Sequence, residues 1–259
     1  MNRAARLVRS AEMEAALISA FVGTLVLWAQ WRYGFNWGDG GRLWYISQRT
    51  ALAEVPIRDV FSYDPGRYYW SAAVFKVLGK DGFFEQLVAN YLFGVLGLAI
   101  TYVAMARIGV TRGWRTTVLI LLGIVLGFPR HKIFEQALSL VAAAGIAFIL
   151  PDPERPKRWF IYGMATGLAA FIGRNSGLYF AIAAILAFIV LKLRSRAPHS
   201  KLVLGPFVAG VVTGYFIFMM IRFRGFASAF SNLFSCPKMV METTGSISMA
   251  FSCRGSTRP

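Results

Sequence analysis

Six of the chain's twelve carboxylates, Asp39, Glu54, Asp59, Asp64, Asp81 and Glu85, fall in one stretch of about fifty residues, 36–85. That stretch separates the first apolar segment from the second. Carboxylates gathered in this way accept protons, hold divalent ions or pair with arginine. The rest of the chain reads as apolar segments joined by short basic turns. A long acidic loop that carries Asp39 close to the end of an apolar segment is therefore where a reaction would be built.

The elements that must position those residues follow from composition. Hydrophobic residues make up 56% of the 259 positions and aromatic residues 15%, and the mean hydropathy is +0.53. A soluble domain of this length cannot bury so much apolar surface, so the chain reads as an integral membrane protein. Seven apolar segments can be drawn, roughly at 13–31, 83–106, 116–128, 133–150, 159–173, 177–191 and 202–221. Several are shorter than the ~20 residues of a perpendicular crossing. Short spans point to broken or tilted helices around a cavity. The two segments joined by Gly173-Arg174-Asn175-Ser176-Gly177 can also be read as one long kinked element.

A net charge of +16 would suggest nucleic acid in a soluble protein. Here its distribution follows topology instead. With the N-terminus in the cytoplasm, Arg3, Arg6, Arg9, Arg107, Arg112, Arg115, Arg155, Lys157, Arg158, Lys192, Arg194, Arg196 and Lys201 fall on that side, 13 of the 28 basic residues. The short outer turns hold only three, Arg130, Lys132 and Arg174. The positive-inside rule then places the acidic loop outside the cytoplasm, and the remaining basic character suits anionic headgroups. No nucleic-acid motif is present. The first apolar segment runs on through Trp28 and Trp31 without a small-residue cleavage site, which favours an uncleaved anchor over a signal peptide.

Inside the loop, 41–55 and 68–78 read as helices lying on the membrane surface, the first with Arg42 and Arg49 seven apart on one face, the second dense in aromatics. The competing reading for each aromatic is plain packing at the interface. Pro56, Pro65 and Gly66 enforce turns between the two, and Asp64 and Arg67 emerge from one of them.

An N-in helix, an early carboxylate in Trp37-Gly38-Asp39-Gly40-Gly41-Arg42, two surface helices and the later Phe61-Ser62-Tyr63-Asp64-Pro65-Gly66-Arg67-Tyr68-Tyr69-Trp70 together resemble the first outer loop of GT-C class glycosyltransferases. These polytopic enzymes take sugars from polyprenyl-phosphate or polyprenyl-pyrophosphate carriers. The resemblance covers about 13–221, a seven-helix N-terminal module. It implies that Asp39 is the catalytic carboxylate, activating or orienting the acceptor for inverting transfer. Elementary chemistry agrees, because a hydroxyl nucleophile needs an acceptor for its proton while a departing phosphate needs cations and donors. Many relatives carry Glu directly after this Asp, whereas this chain has Gly40. A second acid must then come from Asp59, Asp64 or Glu135. The alternative for Asp39 is a cap on the helix near Gly41.

A lipid phosphate at the membrane surface calls for cations on the outer turns. The candidates are Arg67, then Arg130, His131 and Lys132 with Glu135 one turn on, then Arg174 with Asn175. Arginine is favoured because its planar fork holds two phosphate oxygens at once. Arg130 and Arg174 could equally snorkel or pair with Glu135.

His131 and His199 are the only histidines, and no ligand cluster indicates a metal site, although loop carboxylates could hold a divalent ion beside a phosphate. Four GxxxG pairs, Gly123/Gly127, Gly163/Gly167, Gly173/Gly177 and Gly210/Gly214, predict close helix packing. The expected architecture is an all-α polytopic bundle of about seven transmembrane helices over residues 1–225, with an outer loop at 34–82 and a polar extracytoplasmic tail over 226–259. Cys236 and Cys253 in that tail could form a disulfide. Relatives usually continue with further helices, which leaves a compact natural form, a truncated reading frame or one subunit of a complex. The expected function is transfer of a sugar from a polyprenyl-phosphate-linked donor to a glycan, lipid or protein acceptor at the outer face of a plasma (inner) membrane. A lipid-linked sugar flippase and a non-catalytic membrane protein partner are the alternatives.

Overall fold

A computed structural model describes residues 3–32, 38–127, 130–194 and 200–222. Among these residues the chain is all-helical: α1 (Arg3–Gln30), α2 (Asp39–Ala51), α3 (Pro65–Leu78), α4 (Phe83–Arg107), α5 (Arg112–Leu126), a 3-10 turn (Arg130–Lys132), α6 (Ile133–Ile149), α7 (Pro156–Ile172), α8 (Arg174–Leu193) and α9 (Ser200–Arg222). The expected polar tail, Cys236, Cys253 and His199 lie outside the described residues.

Helix boundaries sit where local chemistry puts them. Pro65 and Pro156 open α3 and α7, where a missing N–H costs nothing, and Gly79 closes α3 in the left-handed region at φ 66°. The two loop helices thus occur where the sequence predicts them, but shifted. α2 starts two residues earlier, at Asp39, and ends at Ala51. α3 takes in Pro65, Gly66 and Arg67 as its first turn.

Three helical stretches are long and apolar enough to cross a membrane: Glu12–Gln30 of α1, α4 and α8. Shorter apolar helices occupy Ile133–Ile149 and Val203–Ile217. The apolar windows of the three long helices bury only 22%, 44% and 33% of their residues. Leu17, Phe21, Trp28, Ile124, Leu178 and Ile185 are among the exposed side chains, while Ser19, Gln86, Asn90 and Thr166 are buried. Apolar outside with small and polar residues inside is the pattern of helices whose surroundings are themselves apolar.

Gln30 Nε2 donates to the Gly127 carbonyl over 2.7 Å, and Gln86 Nε2 donates to Ser71 Oγ at 3.0 Å and to Asn90 Oδ1 at 2.8 Å. Trp44 Nε1 reaches the Asp81 carbonyl and Trp70 Nε1 the Ala89 carbonyl, which fixes α2 and α3 over the start of α4.

α7 and α8 form a hairpin rather than one kinked element. Gly173 is extended (φ −161°, ψ 114°), α8 starts at the next residue, and Tyr162 on α7 donates its hydroxyl to the Phe180 carbonyl on α8 at 3.2 Å. The glycine pairs explain the closest helix contact. A Cβ at Gly163 or Gly167 would overlap the Phe207 or Val211 carbonyl oxygen, and one at Gly210 or Gly214 would overlap the Phe160 or Met164 carbonyl oxygen. Backbones of α7 and α9 therefore touch directly, as small-residue motifs allow.

The bundle has two polar ends. At one, Glu12 and Glu14 of α1 meet Arg107, Arg112 and Arg115, and the Arg107 and Arg158 guanidinium groups sit 5.2 and 5.0 Å from the Phe148 ring. The other end carries α2, α3 and the start of α6 and α8.

Candidate functional site

At that second end, the N-terminal turns of α2, α3, α6 and α8 converge on a polar pocket of about 180 Å³. α2 supplies Asp39, Arg42 and Leu43, three side chains that the helical repeat puts on one face. The loop and first turn of α3 supply Tyr63, Asp64, Arg67 and Tyr68. His131, Lys132 and Glu135 come from the turn into α6, and Gly173, Asn175 and Ser176 from the joint between α7 and α8. Each helix N-terminus carries about half a positive charge, so four of them around one cavity favour an anion.

Gly66 makes this convergence possible. A Cβ there would lie 2.7 Å from Phe171 Cδ1 and 2.9 Å from Ile172 Cα, so only glycine lets α3 sit against the end of α7. The next residue, Arg67, is then spent on structure. Its Nη2 donates to Asp64 Oδ2 at 2.9 Å, its Nη1 pairs with Glu135 Oε1 at 3.2 Å, and its Nε donates to the Ile172 carbonyl at 3.3 Å. Each nitrogen of this guanidinium has a protein partner, and Arg67 still lines the pocket.

Asp64 is also committed. Its backbone is left-handed at φ 60°, a conformation aspartate tolerates better than most residues, and its side chain is 9% exposed. Oδ1 accepts the Arg174 backbone N–H at 3.0 Å and faces Arg174 Nε at 3.4 Å. Burial pushes the Asp64 carboxyl up from the ordinary aspartate range, against the opposing pull of the Arg174 N–H and the Arg67 and Arg174 guanidinium groups. Asp64 is thus the clasp between α3 and α8, not a free second acid. Arg174 stands outside the pocket lining, half-exposed, beside Asp64 and 5.9 Å from the Tyr63 ring.

Asp59 lies away from the pocket. It closes a turn by accepting the Val55 N–H at 2.8 Å and pairs with Arg58, which holds its carboxyl at about 2. Glu54 pairs with Arg49, and Asp81 accepts from Gln48 at 2.9 Å. Proximity in sequence had grouped these acids; the folded loop assigns three of them to its own turns. Glu135 lines the pocket with Asp39 and Asp64. Arg67 holds its Oε1, whereas Oε2 is buried without a hydrogen-bond partner among the described residues. Such an oxygen costs about 1–3 kcal/mol unless a ligand donor reaches it.

Asp39 is two-thirds exposed, with Oδ2 3.5 Å from His131 Nε2. It is the first residue of α2, directly after the N-cap Gly38, and adds a negative charge to the first turn. His131 therefore stands beside the carboxylate as well as among the cations. The Arg130 side chain lies outside the described residues. Arg42 is the residue that sequence reasoning left on a helix face. Its guanidinium sits 5.0 Å from the Phe61 ring and 5.1 Å from the Tyr63 ring, and its Nη2 is buried without a hydrogen-bond partner. The spacing of three residues from Asp39 was the available signal. Tyr68, also in the lining, stays a neutral phenol because burial pushes it up to about 12.

An apolar groove shares no lining residue with the pocket but is lined by chain neighbours of two of its residues. Gly66 and Ile172 line the groove, and their neighbours Arg67 and Gly173 line the pocket. The first part of the groove, about 540 Å³, runs between Trp70, Phe93, Leu96, Leu138 and Phe171. A second part, about 430 Å³, shares Ile100, Val141 and Ala165 with the first and continues to Glu12 and Arg107. Along α4 this path covers Phe93 to Arg107, about 21 Å at 1.5 Å per residue. No group of three or more His, Cys, Asp or Glu residues able to hold a metal ion occurs among the described residues. No family model, curated protein or solved structure matches the chain.

Proposed function

We propose that the chain is a GT-C-like membrane glycosyltransferase, its seven apolar helices crossing a plasma (inner) membrane with the N-terminus in the cytoplasm. It transfers a sugar from a polyprenyl-phosphate-linked donor to a glycan, lipid or protein acceptor on the far side. The observation that carries this reading is a polar pocket ringed by helix N-termini, with an apolar groove lined by the chain neighbours of two of its residues. A charged head with a long apolar tail fits both at once.

In this reading the acceptor hydroxyl gives its proton to Asp39, and its oxygen attacks the anomeric carbon from the face opposite the phosphate. The bond between that carbon and the phosphate oxygen breaks, and the electron pair leaves with the lipid phosphate. Pocket cations and helix N-termini stabilise the charge that develops there. Glu135 Oε2 accepts a sugar hydroxyl, which orients the donor.

Asp39→Asn tests the proposal. The exchange removes the proton acceptor at nearly constant volume on a two-thirds exposed side chain. Release of polyprenyl phosphate from a panel of polyprenyl-phosphate sugars should fall by about 10²–10⁴-fold with an unchanged melting temperature. Undiminished release would remove Asp39 from the chemistry. One observation favours a second reading, movement of a lipid-linked sugar between leaflets: the groove continues to the opposite polar end at Glu12 and Arg107. Reconstituted protein that moves the donor without forming product, and does so equally with Asp39→Asn, would select it.

A further inference from the structure

We infer that an oxyanion in the pocket is gripped by Arg42 and Lys132, while Arg67 and Arg174 form the scaffold that holds the pocket open. The inference rests on the pocket being a head-group site and names the residues that read the head group as a phosphate.

The fixed charges of the site sort themselves by partner. Arg67 faces Asp64 and Glu135, and Arg174 faces Asp64. Asp39 faces His131. The two cations in the lining without a carboxylate partner among the described residues are Arg42 and Lys132. They enter from different elements, Arg42 from the first turn of α2 and Lys132 from the residue preceding α6. Arg42 is preorganised for the task. Its guanidinium lies against Phe61 and Tyr63, which restricts its rotamers, and Nη2 has no hydrogen-bond partner among the described residues. An unmet donor beside an unpaired ammonium, among four helix N-termini, is matched by a tetrahedral oxyanion that accepts from both. A free phosphate and a lipid phosphate present the same oxygens, and only the lipid adds a tail for the groove.

The test uses the detergent-solubilised full chain, in buffer with a chelator, titrated with inorganic pyrophosphate and separately with farnesyl phosphate. Arg42→Gln and Lys132→Gln should each weaken pyrophosphate binding by about tenfold, and added salt should narrow the difference. Lys132 is exposed, so its exchange keeps the melting temperature and remains decisive if Arg42→Gln fails to fold. Pyrophosphate binding indifferent to Lys132→Gln, or no binding of either probe, overturns the inference. Farnesyl phosphate that binds well but ignores both substitutions also overturns it and leaves the lipid-donor reading standing. Pyrophosphate binding that depends on both residues, with farnesyl phosphate no tighter than pyrophosphate, upholds the inference and removes the lipid donor instead.

Discussion

Asp59 and Asp64, five residues apart, show how far the environment of a carboxyl decides its behaviour. Arg58 and the Val55 N–H hold the Asp59 carboxyl at about 2, below the ordinary 3.8, so its pairing stabilises the fold above pH 4 and is lost as pH falls towards 2. Asp59→Asn should therefore lower the melting temperature at pH 6, and the gap to the parent should close by pH 2. A gap that persists at pH 2 would mean the side chain acts through shape rather than charge. Asp64 is shifted the other way by burial, against the opposing pull of the Arg174 N–H and the two guanidinium groups around it. Both roles were open to every acid of the loop in sequence, because burial and cross-chain partners such as Arg174 are invisible in local spacing.

At the scale of elements, α7 and α9 are held by direct backbone contact through Gly163, Gly167, Gly210 and Gly214. Gly167→Ala places a methyl group against the Val211 carbonyl and the Tyr215 backbone, neither of which can yield without moving the helix. It should destabilise the protein by about 1–3 kcal/mol, the range of overpacking, read as a lower melting temperature in detergent. Gly113→Ala, where a Cβ meets nothing, is the control and should leave stability unchanged or slightly raised. Equal behaviour of the two variants would show that the α7–α9 contact tolerates a wider spacing. The glycine periodicity was legible as packing in the sequence; which helix received each pair was not, since small-xxx-small motifs name a face and not its partner.

For the whole molecule, the basic turns at Arg107–Arg115 and Arg155–Arg158 gather around one end of the bundle, and the pocket occupies the other. The proposed orientation puts the first end in the cytoplasm. A single cysteine at Gly79 should be labelled by an impermeant maleimide in intact cells, and one at Thr111 only after permeabilisation. Labelling of Thr111 in intact cells would invert the molecule and move the pocket to the cytoplasmic side. The apolar groove follows α4 for about 21 Å, and the proposed lipid donor would lay its extended chain along that path.

Apolar periodicity, proline and glycine punctuation and charge asymmetry determined, without coordinates, that this chain is all-helical and membrane-like and that two short helices interrupt its first loop. These signals are local: a helix and its boundaries depend on neighbours within a few residues. Of the polar residues singled out in sequence, Asp39, Asp64, Arg67, His131, Lys132, Glu135 and Asn175 line one cavity. Only the tertiary structure decided which of the remaining polar residues belong with them. Arg67 and Glu135 are 68 positions apart and Asp64 and Arg174 are 110, and those pairings form where four helix N-termini converge. Side-chain commitment of this kind is settled by long-range packing, because a charged group takes the nearest opposite charge that burial allows, and sequence spacing does not record that distance.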